Sequence, residues 1–417
     1  MDKLVTNGGN ILKGTIPVSG AKNAVLPIMT ATILAPGKYT LNNVPNLRDT
    51  RTMSKLLEII GASVELKDGT MTIDSSGVNN PEAPYDLVKT MRASFYVLGP
   101  LLARFGEAKV SLPGGCAWGP RPVDLHLKGM EALNANIVLE GGYIVATADK
   151  LTGAEFNMDI SSVGATGNVL MAAVLADGVT LIENAAREPE ISSLAEFLNE
   201  MGADIRNIGS DVLEIHGVDE LHPVDFEVIP DRVEAGTYLV AGALMGKDLE
   251  ITPVIPRHMT AVIDKVRRAG ATVNVQDRSI KVTRPDVIKP VDITTAIFPG
   301  YPTDMQAQWM AFMATADGSA VITEEIYPDR FTHVAELNRL GANITLEGNV
   351  AVVKGVKELT GAPVMSTDIR ASASLIVAAL AAKGRTDIQR IYHIDRGYEQ
   401  IEKKLQGIGA DIRRENE

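Results

Sequence analysis

Six stretches of the chain share one pattern of apolar and polar positions. In each, an amphipathic helical segment ends at a small residue followed by alanine, and strand-like alternation comes next. The small residues stand 68 to 73 positions apart: Gly61, Asn134, Gly202, Gly270, Gly341 and Gly409. Glycine is favoured just past a helix end because it enters the left-handed region without a Cβ clash, and asparagine tolerates that region. We therefore predict six repeated units.

A second segment of each unit is apolar on nearly every side, as in residues 169–176, 238–245 and 374–382, which marks a buried helix. These segments end at Gly37, Gly106, Gly178, Gly246, Gly318 and Gly384. An arginine recurs in the loop before each amphipathic helix, at Arg48, Arg121, Arg187, Arg257, Arg330 and Arg396. Each unit is predicted to contain a buried helix, a strand, a loop, an amphipathic helix and two strands.

Short alternating segments around turn residues predict that the last two strands form a hairpin. Residues 63–66 and 70–73 flank Lys-Asp-Gly, residues 136–139 and 143–146 flank Glu-Gly-Gly, and residues 343–346 and 350–353 flank Glu-Gly-Asn. The sixth unit stops one strand short, at residues 410–413. We expect residues 3–6 to supply the missing partner strand.

The six units divide into two groups of three. Because the N-terminal residues are expected to complete the last unit, one domain is predicted over residues 22–229 and the other over residues 1–21 plus 230–417. The predicted fold class is α/β, with two similar domains of three βαβαββ-type units each and a cleft between them.

Composition narrows the class of protein. Hydrophobic residues make up 45% and charged residues 22% of the 417 residues, as in ordinary globular proteins. A net charge of −12 argues against a general nucleic-acid binder. The N-terminus lacks a signal-peptide pattern, and no apolar run approaches the ~20 residues that span a bilayer. With one cysteine and hence no internal disulfide, we expect a cytoplasmic protein that binds neither nucleic acid nor a membrane.

One loop departs strongly from the repeat. Residues 112–126 read Leu-Pro-Gly-Gly-Cys-Ala-Trp-Gly-Pro-Arg-Pro-Val-Asp-Leu-His, and long loops on a repeated scaffold commonly carry function. A lone cysteine is usually a small buried hydrophobic residue. Because Cys116 stands in a glycine-rich loop five residues before Arg121, we predict instead an accessible thiol near positive charge, and both conditions favour reactivity.

With this loop and eight further motifs, the chain resembles the UDP-N-acetylglucosamine 1-carboxyvinyltransferase family over essentially its whole length. The motifs are Ser19-Gly-Ala-Lys22-Asn23-Ala, Lys89-Thr-Met-Arg92-Ala-Ser, Ser162-Val-Gly-Ala, Glu183-Asn-Ala-Ala-Arg187-Glu-Pro-Glu190, Pro230-Asp-Arg232, Tyr301-Pro-Thr-Asp304-Met-Gln-Ala-Gln, Thr367-Asp368-Ile-Arg370-Ala-Ser-Ala-Ser and Tyr392-His-Ile-Asp-Arg396-Gly-Tyr. The resemblance implies the fold often called an inside-out α/β barrel. It also implies a fosfomycin-sensitive cytoplasmic transferase of peptidoglycan synthesis, and hence of cell wall biogenesis, cell shape and cell division.

The implied reaction transfers the enolpyruvyl group of phosphoenolpyruvate to the 3′-hydroxyl of UDP-N-acetylglucosamine by addition and elimination, with release of phosphate. By the same resemblance, Cys116 would protonate C3 of phosphoenolpyruvate, and Asp304 would be the base beside the hydroxyl. Lys22, Arg121 and Arg396 would bind phosphate and carboxylate. The remaining implied substrate contacts are Asn23, Arg92, Pro122, Val123, Asp124, Leu125, Ser162, Val163, Gly164, Ile326, Asp368 and Arg370.

Simpler interpretations stay open for several of these residues. Asp304, Asp368 and Asp49 stand where a helix N-cap is expected, and Ile326 is equally typical of a core. Two other functions also stay open: 3-phosphoshikimate 1-carboxyvinyltransferase, which lacks the Cys116 loop, and a non-enzymatic sixfold-repeat scaffold. The six histidines lack metal-ligand spacing and the chain has neither a phosphate-loop nor a dinucleotide motif, so we expect no metal and no cofactor.

Overall fold

The computed structural model describes residues 2–112 and 123–416. Its chain divides into two compact units. The first unit is Gly20–Ile229, and the second unit is Met1–Ser19 together with Pro230–Glu417. Each unit has its own continuous hydrophobic core.

The helices of the described residues occur in both units. Those of the first unit are α1 Lys22–Ala31, α2 Arg48–Ile59, α3 Tyr85–Val88, α4 Leu98–Phe105, α5 Asp124–Ala132, α6 Val163–Ala173 and α7 Pro189–Glu200. Those of the second unit are α8 Arg232–Met245, α9 Thr260–Arg268, α10 Gln306–Met313, α11 His333–Arg339, α12 Ile369–Ala381 and α13 Ile401–Gly407.

Within the described part of the first unit, three four-stranded sheets form the β-structure. Its strands are β3 Lys38–Asn42, β4 Ser63–Lys67, β5 Thr70–Asp74, β6 Glu82–Ala83, β7 Glu107–Ser111, β8 Asn136–Glu140, β9 Tyr143–Thr147, β10 Glu155–Asn157, β11 Val179–Glu183, β12 Asp204–Arg206, β13 Val212–His216 and β14 Asp225–Glu227. The strand orders are β14-β3-β5-β4, β6-β7-β9-β8 and β10-β11-β13-β12.

The described residues of the second unit form three sheets of the same size. Its strands are β1 Asp2–Asn7, β2 Leu12–Pro17, β15 Gly246–Thr252, β16 Thr272–Val275, β17 Ile280–Thr283, β18 Ile293–Thr294, β19 Ser319–Thr323, β20 Asn343–Glu347, β21 Val350–Lys354, β22 Pro363–Met365, β23 Arg385–Gln389 and β24 Asp411–Asn416. The strand orders are β16-β17-β15-β2, β18-β19-β21-β20 and β22-β23-β1-β24.

All six sheets are built in one way. One edge strand pairs in parallel with its neighbour, as β6 does with β7, and the remaining pairs are antiparallel. This edge strand has two or three residues in five of the sheets and six residues, as β2, in the other. A parallel pair needs a crossover, and a buried helix such as α4 provides it. The predicted hairpins are confirmed in β4–β5, β8–β9 and β20–β21. The α/β class with repeated units is likewise confirmed.

The six small residues at the ends of the amphipathic helices all adopt positive φ, between 71° at Asn134 and 111° at Gly61. This is the left-handed conformation that the repeat predicted. The predicted buried helices are also confirmed, because every residue from Val233 to Met245 of α8 is buried. Arg48 differs from the predicted loop position, since it is the first residue of α2.

The predicted N-terminal strand completes the sixth sheet. Strand β1 pairs with β24 along its whole length, with Thr6 opposite Ile412, and it also pairs with β23. Leu4 and Val5 are fully buried there. In the described part of the chain, no helix combines the length and the apolar character that crossing a membrane requires.

Candidate active site

Asp304 is held between two arginines in the second unit. It lies in a 3-10 turn, Thr303–Met305, that leads into α10. Its Oδ2 atom is 2.6 Å from Nη2 of Arg370, and its Oδ1 atom is 2.9 Å from Nη1 of Arg330. Both arginines are buried, while the aspartate side chain retains 26% of its exposure. The carboxylate is therefore ion-paired but still accessible from one side.

A buried glutamate shapes the loop that carries Arg330. Glu324 is fully buried, and its Oε1 atom accepts hydrogen bonds from the backbone N–H groups of Ile326 and Tyr327. Its Oε2 atom accepts from the hydroxyl of Thr303, which in turn accepts from Arg330. Hydrogen bonds thus link the turn of Asp304 to the loop of Arg330. Ile326 is half-buried and lies in this loop.

The charge state of Asp304 follows from this geometry. Burial alone would raise the pKa of the carboxyl group, but the charges of Arg370 and Arg330 outweigh it and hold the pKa well below its usual range. Asp304 is therefore ionised at neutral pH. It can accept a hydrogen bond from a hydroxyl group, but it is a weak base while both guanidinium groups contact it.

Of the candidate residues Asp304 and Asp368, only Asp368 caps a helix. Asp368 is the N-cap of α12, where its Oδ1 atom accepts from the N–H groups of Arg370 and Ala371. The helix cap interpretation therefore describes Asp368. Asp304 does not serve as a cap, because the N-cap residues of its 3-10 turn and of α10 are Pro302 and Met305.

Lys22 and Asp49 form a second ion pair, in the first unit. Lys22 is the first residue of α1 and Asp49 is the second residue of α2. The Nζ atom of Lys22 lies 3.4 Å from Oδ2 of Asp49, and both side chains are largely buried. Asn23 follows Lys22 and is exposed. Asp49 therefore contacts one of the predicted cations.

Several residues of the first unit that are implied to contact the nucleotide lie at the starts of helices. Ser162 caps α6, with its Oγ atom accepting from the N–H of Ala165 at 3.3 Å. Val163 and Gly164 are its first two residues. Arg92 begins a 3-10 helix, and Val123, Asp124 and Leu125 stand at the start of α5.

Of the remaining predicted residues, one is located by the structure and three lie outside the described ranges. Arg396 is half-buried at the end of the 3-10 helix Ile391–Arg396. Cys116, Arg121 and Pro122 lie outside the described residues. Within the described ranges, no group of three His, Cys, Asp or Glu side chains could hold a metal ion.

Sequence reasoning did not assign Arg330 and Glu324 to the site. Arg330 had a signal, because it belongs to the recurring arginines. Glu324 had none, since its role depends on backbone groups that fold back over a buried carboxylate.

Comparisons with known proteins identify the family. The sequence profile described as EPSP synthase (3-phosphoshikimate 1-carboxyvinyltransferase) matches residues 6–405. The chain is 56% identical to the UDP-N-acetylglucosamine 1-carboxyvinyltransferase of Trichlorobacter lovleyi and 55% identical to that of Myxococcus xanthus. Both alignments cover 100% of each chain.

Solved structures share the fold. The enolpyruvyl transferase NikO from Streptomyces tendae superposes with a TM-score of 0.90 at 29% identity, over 99% of this chain and 98% of its own. EPSP synthase from Acinetobacter baumannii gives 0.79 at 19% identity over 100% of both chains, which shows the fold alone. The chain therefore belongs to the enolpyruvyl transferases and, among them, to the UDP-N-acetylglucosamine 1-carboxyvinyltransferase family.

Proposed function

We propose that this protein transfers the enolpyruvyl group of phosphoenolpyruvate to the 3′-hydroxyl of UDP-N-acetylglucosamine and releases phosphate. The reaction supplies a precursor of peptidoglycan. The observation that carries the assignment is the 56% identity over full length to a UDP-N-acetylglucosamine 1-carboxyvinyltransferase. We place the reaction in the cytoplasm, because both substrates are highly charged and do not cross a lipid bilayer unaided.

The chemistry sets three requirements. The hydroxyl oxygen adds to C2 of the enol while C3 gains a proton, and a tetrahedral intermediate then loses phosphate and a proton from C3. The protein must supply a proton donor at C3, an acceptor at the hydroxyl and cations for two anionic groups. We assign these roles to Cys116, to Asp304, and to Lys22, Arg121 and Arg396.

The ion pairs of Asp304 suggest how it acts. While Arg330 and Arg370 both contact it, the carboxylate can orient the hydroxyl by accepting its hydrogen bond. An anionic substrate can draw one guanidinium group away from Asp304. The carboxyl group then loses a neighbouring positive charge, and the pKa of Asp304 rises towards the usual value. Proton acceptance by Asp304 is then coupled to the arrival of the substrate. The other substrate contacts that the resemblance implies, among them Asn23 and Arg370, would hold the nucleotide sugar.

Two rival functions have weaker support. The EPSP synthase structure is only 19% identical, against 56% for the peptidoglycan enzyme. A non-enzymatic scaffold would not require the Asp304 carboxylate to be ion-paired and partly exposed at once.

A coupled assay tests the proposal. The purified protein is incubated with phosphoenolpyruvate, with and without UDP-N-acetylglucosamine, while phosphate release and the mass of the nucleotide product are followed. We expect phosphate only when both substrates are present, with one enolpyruvyl group added to the nucleotide for each phosphate. Phosphate release that does not depend on the nucleotide would contradict the proposal.

Cys116→Ser tests the proton donor. We expect kcat to fall by about 100-fold or more, because general acid catalysis contributes a factor of this size. Cys116 is the only cysteine, so alkylation of the wild-type protein by fosfomycin should add one modification, which the variant lacks. An unchanged kcat in the variant would remove Cys116 from the mechanism.

A further inference from the structure

Arg414 is a charged residue of the second unit to which the reaction described above gives no role. It lies on β24, opposite Leu4 of β1, and its side chain retains 28% of its exposure. Its guanidinium group contacts Asp395 and Glu402, and Asp395 immediately precedes Arg396. Because Arg396 is one of the cations assigned to the substrate, a contact that fixes Asp395 also affects the position of Arg396.

The contact between Arg414 and Asp395 is bidentate. Nη1 donates to Oδ2 at 3.0 Å, and Nη2 donates to Oδ1 at 2.6 Å. Nε of the same arginine donates to Oε1 of Glu402 at 3.1 Å, and Glu402 is a buried residue of α13. An isolated surface ion pair contributes little, but a bidentate pair within a network of charges has a defined geometry. Arg414 therefore links the 3-10 helix Ile391–Arg396 to both α13 and β24.

The segment that carries Arg396 depends on contacts with the rest of the unit. A 3-10 helix has poorer hydrogen-bond geometry than an α-helix, and this one has six residues. The backbone before and after it, at Arg390 and Gln400, has φ values of 57° and 46°. Residues other than glycine adopt this left-handed conformation where the surrounding structure imposes it. The orientation of the segment is therefore set by its tertiary contacts.

Two such contacts hold the segment next to Arg396. Tyr398, two residues further along the chain, is 1% exposed, and its ring centroid is 6.0 Å from the guanidinium carbon of Arg370. The second contact is the ion pair of Asp395 described above. Side chains of adjacent residues in a 3-10 helix project about 120° apart, so Asp395 and Arg396 face different sides. A rotation of the helix that broke the ion pair would also turn Arg396.

We propose that Arg414 is a positioning residue, whose ion pair with Asp395 fixes the rotation of the 3-10 helix so that Arg396 faces phosphoenolpyruvate. The inference rests on the proposed function, which assigns Arg396 to an anionic group of this substrate. In this role Arg414 does not contact the substrate. It acts through the segment that carries Arg396.

Two substitutions remove the ion pair from opposite ends. Arg414→Gln removes the guanidinium group, and Asp395→Ala removes the carboxylate while strand β24 keeps its sequence. The second variant therefore tests the pair even where the first one fails to fold. The control is Arg413→Gln, because Arg413 lies on the same strand and pairs with Glu415 of that strand. The measured quantities are the KM of each substrate, kcat, the Kd of phosphoenolpyruvate by calorimetry and the thermal unfolding midpoint.

We expect each of the two variants to raise the KM and the Kd of phosphoenolpyruvate by about 10-fold to 100-fold, because a displaced binding group can cost up to about 100-fold. The KM of UDP-N-acetylglucosamine should stay unchanged, and Arg413→Gln should behave as the wild type. The double variant of Arg414→Gln and Asp395→Ala should lose no more than the worse single variant, since both substitutions remove the same contact.

Several outcomes would overturn the inference. They are an unchanged Kd of phosphoenolpyruvate in either single variant, an equal loss of affinity for both substrates, losses that add in the double variant, or no binding of phosphoenolpyruvate to the wild-type protein. A lower unfolding midpoint with unchanged KM and Kd would show that Arg414 only stabilises the fold. Binding of phosphoenolpyruvate without transfer to UDP-N-acetylglucosamine would instead defeat the proposed function and leave the inference standing, so the two failures are distinguishable.

Discussion

At the residue scale, buried titratable groups have pKa values that are shifted from their usual range. Asp304 stays ionised because two arginines offset the cost of burying its charge. His333 is the opposite case. It is 2% exposed, and its pKa is lowered to about 4 because burial and the charge of Arg330 together outweigh the opposing effect of Asp368. The pKa of His333 could not be predicted from the sequence, because the burial of a side chain depends on how the chain folds. The sequence shows only that the histidines lack metal-ligand spacing.

Protein stability should fall in mild acid because of His333. Its folded pKa of about 4 is below the unfolded value near 6.5, so only the unfolded state binds the proton between these values. This contribution to stability is fully present above pH 6.5 and is lost as the pH falls towards 4. From pH 7 to pH 5, the free energy of unfolding should drop by about 2 kcal/mol less in His333→Gln than in the wild type.

Urea unfolding at the two pH values checks this expectation, with tryptophan fluorescence as the signal, to which the buried Trp309 of the same unit contributes. The control is His222→Gln, at an exposed position. An equal drop in the wild type and in His333→Gln would show that the histidine is not held neutral.

At the element scale, most of each repeat could be predicted from periodicity and turn chemistry. The hairpins and the buried helices follow from patterns within a few neighbouring residues, whereas strand β1 follows from the partner strand that the sixth repeat lacks. The bounds of the edge strands could not be predicted, because β6 and β18 have two residues each and show no alternation. The contact of Asp304 with Arg370 could not be predicted either, since the two residues belong to different repeats.

The central place of β1 in its sheet gives a test by substitution. Leu4 of β1 is fully buried, whereas Leu139 of β8 is 65% exposed in the equivalent hairpin of another sheet. Leu4→Ala should lower the free energy of unfolding by about 2–5 kcal/mol, because it leaves a cavity in the core. Leu139→Ala should change it by about 0.5 kcal/mol or less. Equal effects in urea titrations would contradict the placement of β1.

At the scale of the whole molecule, one fold serves more than one acceptor. The chain matches EPSP synthase with a TM-score of 0.79 although only 19% of the residues are identical. The sheets and buried helices therefore establish the fold but not the acceptor. That residues 22–229 and residues 1–21 plus 230–417 fold as independent domains stays a prediction.

Acceptor choice tests the account most directly. The kcat/KM is measured with UDP-N-acetylglucosamine and with shikimate 3-phosphate at the same saturating phosphoenolpyruvate, and both products are identified by mass. We predict enolpyruvyl transfer to the nucleotide sugar, with a kcat/KM at least about 10⁴-fold above that for shikimate 3-phosphate, because a polar site discriminates by about this factor. Comparable values for the two acceptors, or transfer to shikimate 3-phosphate alone, would contradict the assignment.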